Sequence, residues 1–285
     1  KIYFIFFCTI VTFFFNQELF AKNSKIKYSR ENTSNYFSGV VSAKNNNIYE
    51  AYKYLEKTQF LKNSHNSFNT QFIRTLILLN KFEEAFSFSK EVWVKEKYIF
   101  EIDLLLGLNY LIKKDYIKSE KHFKRLSKTP EYNYNTVIKN FLGKSLLVWN
   151  KVSQNNKKDS VKLLNEIPDR YENFKLIQSS FLQCYFDTNE VLKTYKLLID
   201  KQDKDFSRYN FFLANYLLHK NKNLEAKQII AEGRKSYSSN LLIKQAQNFI
   251  LNNNSKKIKN IFNCRSSKDN IAEIFYIIAT LYSSE

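Results

Sequence analysis

The chain has 285 residues, a net charge of +18, and 45 Lys and Arg set against 27 Asp and Glu. Four glycines in that length leave no phosphate-cradling loop, and no stretch alternates apolar and polar residues with period two, which excludes a β fold. The positive charge does not single out nucleic acid. Lys and Arg are scattered without a run of five, in a chain rich in Lys, Asn, Ile, Phe and Tyr and poor in Ala, Gly and Pro, the bias an AT-rich genome produces.

Residues 1–21 read as a secretory signal peptide. Lys1 precedes a nearly unbroken apolar run from Ile2 to Phe15, followed by Asn16-Gln17-Glu18 and a small residue, Ala21, after which cleavage is expected. That run is shorter than the roughly 20 residues a spanning helix needs. An uncleaved amino-terminal anchor is the alternative. Cys8 lacks the small-residue context of a lipidation site. Residues 22–31 follow as a linker, and residues 32–285 form a repeat array. The chain has no Met, so its amino terminus is expected to be clipped by a few residues, and it stops inside what reads as a new first helix over residues 270–285, so it is also expected to be truncated at its carboxyl end.

Within the array, small or slender residues interrupt bulky apolar stretches at Gly39, Ile73, Gly107, Val148, Ser179, Ala214, Ala246 and Ala279, a spacing of about 34. About twelve residues after most of these comes a second such position paired with a residue four later: Ala51/Leu55, Ala85/Ser89, Ser119/Phe123, Ser160/Leu164, Val191/Tyr195, Ala226/Ile230 and Ile258/Phe262. Units of this length bury one face each against their neighbours. The clearest unit runs from Asp103 to Pro130 and contains Leu106-Gly107, Tyr110, Ser119 and Phe123, with Lys113-Lys114-Asp115 as its turn. Gly107 and Ser119 are expected where the two helices cross. Pro130 and Pro168 are expected to stop second helices.

That unit resembles the tetratricopeptide repeat, whose signature is Leu-Gly, Tyr, then Ala and Phe at these intervals, with Pro ending the second helix. The other units match in part. The resemblance implies an all-α fold, a right-handed α–α superhelix of helical hairpins with about seven repeats and the first helix of an eighth. A different helical-hairpin solenoid is the alternative architecture.

No catalytic, cofactor or metal motif stands out. His65, His122 and His219 stand alone, Cys-x-x-Cys and His-Glu-x-x-His are absent, and Glu83-Glu84 and Asp203/Asp205 read as helix-opening acids. Cys184 and Cys264 lie about two and a half repeats apart. With stacked helices spaced about 8–10 Å and a disulfide needing Cα atoms within about 7 Å, they are expected to be unpaired, buried and apolar in role.

The resemblance also implies that first helices line a concave groove. The corresponding positions are Tyr36, Val40 and Lys44; Thr70, Arg74 and Leu78; Leu104, Leu108 and Ile112; Ser145, Trp149 and Ser153; Phe211, Asn215 and His219. Of these, Tyr36, Lys44, Arg74, Trp149, Phe211, Asn215 and His219 are the candidate partner-binding residues, with Lys44 and Arg74 suited to a carboxylate and the aromatics to anchoring. The expected function is a non-catalytic scaffold of the bacterial periplasm or cell envelope that holds a peptide or partner protein, without nucleic acid. Two alternatives are a helical arm of an envelope enzyme whose catalytic domain lies past residue 285, and peripheral contact with an anionic membrane or envelope polymer.

Overall fold

The computed structural model describes residues 29–95, 97–128, 138–201, 205–236 and 240–283. The expected signal peptide, Asp203 and the expected helix stop at Pro130 lie outside them. The chain divides into two compact units, the first ending at Trp93 and the second beginning at Val94. Among the described residues there are fifteen α-helices and no strand.

The first unit contains α1 (Arg30–Lys44), α2 (Ile48–Glu56), α3 (Asn66–Leu78) and α4 (Phe82–Val92), paired as two antiparallel hairpins. The second contains α5 (Phe100–Ile112), α6 (Tyr116–Leu126), α7 (Lys144–Ser153), α8 (Lys157–Asn165), α9 (Glu172–Tyr185), α10 (Val191–Ile199), α11 (Arg208–His219), α12 (Asn223–Ser236), α13 (Leu241–Leu251), α14 (Ser255–Ile261) and α15 (Ser267–Ser283). These form five further hairpins and an eighth first helix, the number of units the period implied.

One turn closes every hairpin. Asn46, Asn80, Lys114, Asn155, Asp187, Asn221 and Asn253 all have φ between 52° and 60°. The amide of the residue after each bonds a carbonyl five residues back, as in Asn47 to Ser42 and Lys81 to Leu76. This is the Schellman arrangement, which satisfies carbonyls left open at a helix end. Asn and Asp tolerate the left-handed region better than most residues, and the four glycines are not used for it. Several helices then start on a side-chain cap, with Asp115 Oδ1 accepting from the Lys118 amide at 3.2 Å and Asn156 Oδ1 accepting from the Asp159 amide at 3.0 Å.

Seven residues before each left-handed residue stands the helix-crossing position. Gly39, Ile73, Gly107, Val148, Ala214 and Ala246 fill it and are buried, as expected. In the fifth hairpin the fully buried residue is Ser180, not Ser179, which is half-buried. The register is therefore one residue later there than the sequence pattern placed it. Ala279 is exposed. On the second helices Ala51, Ala85, Ser119, Ser160, Val191, Ala226 and Ile258 are all buried. Gly107 shows why the position must be slender, since a Cβ on it would lie 2.4 Å from the Phe123 ring. The long spacing before Val148 falls between α6 and α7, where a π-helical turn, Ile138–Gly143, leads into α7. A Cβ on Gly143 would lie 2.8 Å from the Ser127 backbone nitrogen. Pro168 stands just past the end of α8, as expected, and opens a short 3₁₀ turn.

The second unit curls back on itself. α15 packs against α7, four first helices earlier in the array, and Glu273 on α15 pairs with Arg208 on α11. This return overturns the expectation for the cysteines. Cys184, at the end of α9, and Cys264, just before α15, form a disulfide with Cα atoms 5.9 Å apart. A straight stack would hold them apart; the curl brings the α14–α15 connection to the end of α9.

Candidate binding cleft

Within the second unit a cleft of about 650 Å³ opens between the first-helix row and α15. Leu108, Leu111 and Ile112 from α5 form one wall, and Ser153 and Tyr185, from the ends of α7 and α9, form the floor. Ile271, Ala272 and Phe275 of α15 close the opposite side. Lys114, whose backbone turns the α5–α6 hairpin, and Lys268, in the first turn of α15, are exposed at the rim. The volume is within the usual range of ligand pockets, and apolar walls with a few polar groups at the edge are what such pockets present. Leu108, Ile112 and Ser153 are first-helix positions that the sequence placed on the concave side.

The candidate partner-binding residues fall into two groups. Trp149 is fully buried, its Nε1–H donating to Gln178 Oε1 at 2.7 Å. Phe211 is buried, and Asn215 donates through Nδ2 to the Ile258 and Phe262 carbonyls at 2.8 and 2.9 Å. The fold uses these three for packing between helices. His219, in the last turn of α11, is exposed and lines a smaller cavity of about 330 Å³ with Lys220, Arg265 and Cys264. In the first unit Lys44 and Arg74 are exposed, and Tyr36 is half-buried with its ring 5.0 Å from that of His65. Burial raises the Tyr36 phenol above its ordinary value. Glu83 and Glu84 sit in the first turn of α4, as helix-opening acids.

Three polar nodes hold the second unit, and sequence reasoning found none of them. Asp187 accepts from the Tyr216 hydroxyl at 3.0 Å, from Lys220, and from Arg265 at 2.7 Å. The Lys220 hydrogen bond is the largest influence lowering its pKa. Burial, then Asp187, pushes Tyr216 up to about 12. Arg208 clasps Glu273 with Nε and Nη2 at 2.7 and 2.8 Å and lies 3.7 Å from the Tyr276 ring centre. Burial raises the Glu273 pKa against the opposing pull of Arg208.

In the third node Asp103, wholly buried on α5, meets His122 Nδ1 at 2.8 Å and Arg125 Nε at 2.9 Å from both its oxygens. Arg125 also donates to the Lys97 carbonyl at 2.6 Å, which fastens the segment leading into α5. The sequence signal was an acid within an apolar helix, opposite His and Arg three residues apart.

Among the described residues no group of three His, Cys, Asp or Glu is placed to hold a metal ion. No described helix is long and apolar enough to cross a membrane.

The fold and the cleft define an all-α array of helical hairpins with an apolar seat. Its sequence matches no protein-family model and no curated protein. Its fold is similar to the crystal structure of a tetratricopeptide repeat protein from Parabacteroides merdae ATCC 43184, with 10% identity and a TM-score of 0.41 over 78% of this chain and 100% of the other.

Proposed function

We propose that this chain is an exported, non-catalytic scaffold of the bacterial periplasm or cell envelope that binds a protein or peptide segment in the cleft of its second unit. The observation that carries the reading is the cleft itself, whose lining joins Leu108, Ile112, Ile271 and Phe275 to two rim lysines and contains no carboxylate. An apolar segment bearing an acidic group complements such a seat. Export is supported by the apolar run at residues 2–15 and by the Cys184–Cys264 bond, since disulfides persist in oxidising compartments.

The test is photocrosslinking in cells. A photoreactive residue at Ile112 should capture a discrete set of proteins that the same group at Ile117, 85% exposed and absent from the cleft lining, does not. Identical capture at both positions, or none at Ile112, would remove the cleft from the proposal. Thiol labelling of the fractionated cell tests export: Cys184 and Cys264 should be unreactive until reduced.

A further inference from the structure

Of the seven left-handed residues that close the hairpins, six are Asn or Asp and one, Lys114, carries a long side chain. Lysine adopts this conformation less readily than asparagine, so the turn itself does not account for it. Lys114 is also the one of the seven that lines the cleft. A backbone outlier of this kind points to a use for its side chain. Lys268 stands on the other side of the mouth, in the first turn of α15. Among the described residues neither ammonium group has an ion pair, whereas Lys118 and Lys124 on α6 and Lys151 on α7 each hold a carboxylate. No carboxylate lines the cleft. Its mouth therefore carries two positive charges that nothing neutralises.

Below the lysines the walls are hydrocarbon and aromatic, formed by Leu108, Ile112, Ile271 and Phe275. Two of the three lining serines are already engaged. Ser153 Oγ donates to the Trp149 carbonyl at 2.8 Å, and Ser266 Oγ donates to Asp269 Oδ1 at 2.8 Å. The backbone behind the walls is bonded within the helices. At the end of α5 the Leu111 and Tyr110 carbonyls accept from the Lys114 and Asp115 amides. A polypeptide backbone pushed between these walls would bury N–H and C=O groups without partners. A protein segment can therefore enter with its side chains only, whereas an alkyl chain has no polar group to satisfy.

We propose that the cleft binds a free fatty acid, with the alkyl chain between α5 and α15 and the carboxylate held by Lys114 and Lys268. This goes beyond the scaffold reading and shares its site. Fatty acid and protein segment exclude one another, so bound fatty acid sets how much of the chain is open to its partner. The alkyl chain supplies affinity in proportion to the length it buries. The two ammonium groups select a carboxylate over a neutral head, because charge-assisted hydrogen bonds are the stronger kind.

Calorimetric titration of the full chain tests this with hexanoate, decanoate and decanol. Decanoate should bind about tenfold or more tightly than hexanoate, and on the order of tenfold more tightly than decanol. In Lys114→Asn/Lys268→Gln, where Asn suits the turn, decanoate should bind no better than decanol. Ile112→Glu places a carboxylate at a wall position that is 56% exposed, and it should weaken decanoate binding about tenfold or more. Ile117→Glu, outside the cleft, should not. Circular dichroism establishes that the variants remain helical. No binding of decanoate, or binding indifferent to chain length, to the two lysines or to Ile112→Glu, overturns the inference. Discrete crosslinks at Ile112 alongside such a result would leave the scaffold reading standing alone. Decanoate that binds but leaves those crosslinks undiminished would overturn the shared site, and loss of both signals would remove the two readings together.

Discussion

Cys184 and Cys264 are 80 residues apart in sequence and 5.9 Å apart between Cα atoms, joined across the gap between the fifth hairpin and the start of the eighth. The bond closes a loop that holds α10 to α14. A cross-link over a loop of this length removes much of the freedom of the unfolded chain, and native disulfides typically contribute about 2–4 kcal/mol. Reduction, or Cys184→Ser with Cys264→Ser, is therefore expected to lower the unfolding midpoint by roughly 5–15 °C. Calorimetry with and without a dithiol measures this. A midpoint unchanged by reduction would show that the bond does not form.

The hairpin turns give a second expectation. A left-handed conformation costs an ordinary L-residue about 1–2 kcal/mol, and Asn least among those with a side chain. Lys114, at φ 60°, is the one long aliphatic side chain among seven such residues. Lys114→Asn should stabilise the chain by roughly 0.5–1 kcal/mol, while Asn80→Val should destabilise it by about 1–2 kcal/mol. Urea titration of both variants checks the pair, and the same sign for the two would count against the turn geometry.

This turn also shows how much the sequence disclosed. The period was legible because Gly39, Gly107, Ala214 and Ala246 are small against bulky neighbours, a contrast visible in one dimension. The left-handed Asn residues repeat with the same period, yet Asn is so frequent in this chain that its recurrence is hidden. The disulfide, the Arg265–Asp187 contact and the Arg208–Glu273 pair depend on how far the second unit curls, which no local pattern encodes, whereas the Asp103 node lies within one hairpin. Trp149 and Phe211 lie buried on first helices, and the periodicity does not separate the face packed between neighbours from the face open to solvent.

Asp103 is buried with two basic neighbours, and removing one member of such a group leaves the others uncompensated. Asp103→Ala should cost about 3–5 kcal/mol, far more than Asp115→Ala at an exposed cap, expected at about 1 kcal/mol. Equal losses in chemical denaturation would mean that the buried node contributes nothing beyond a cap.

Asp187 and Glu273 shift in opposite directions, so their effects on stability fall in different pH windows. Asp187 is lowered from 3.8. Its contribution is complete above that value and is lost as pH falls through the lower folded value. Glu273 is raised from 4.5, so its contribution is complete below that value and lost as pH rises through the higher folded one. Asp187→Asn should flatten the acid side of a melting-temperature profile, below about pH 4, and Asn suits the left-handed backbone there. Glu273→Gln should instead remove a decline that begins above about pH 4.5. If both variants altered the same window in the same direction, the assignment of these two carboxylates would be wrong.

Gly107 and Phe123 meet where α5 crosses α6, and the contact leaves no room for a methyl group. Gly107→Ala improves helix propensity by about 1 kcal/mol, yet overpacking costs about 1–3 kcal/mol, so the net expectation is a loss. The loss should depend on the ring. In Phe123→Leu the space opposite residue 107 is larger, and Gly107→Ala introduced there should cost about 1 kcal/mol less than in the parent chain. A double-mutant cycle by urea denaturation reads this coupling directly. Additive changes would mean that Gly107 is kept for some reason other than the approach of these two helices.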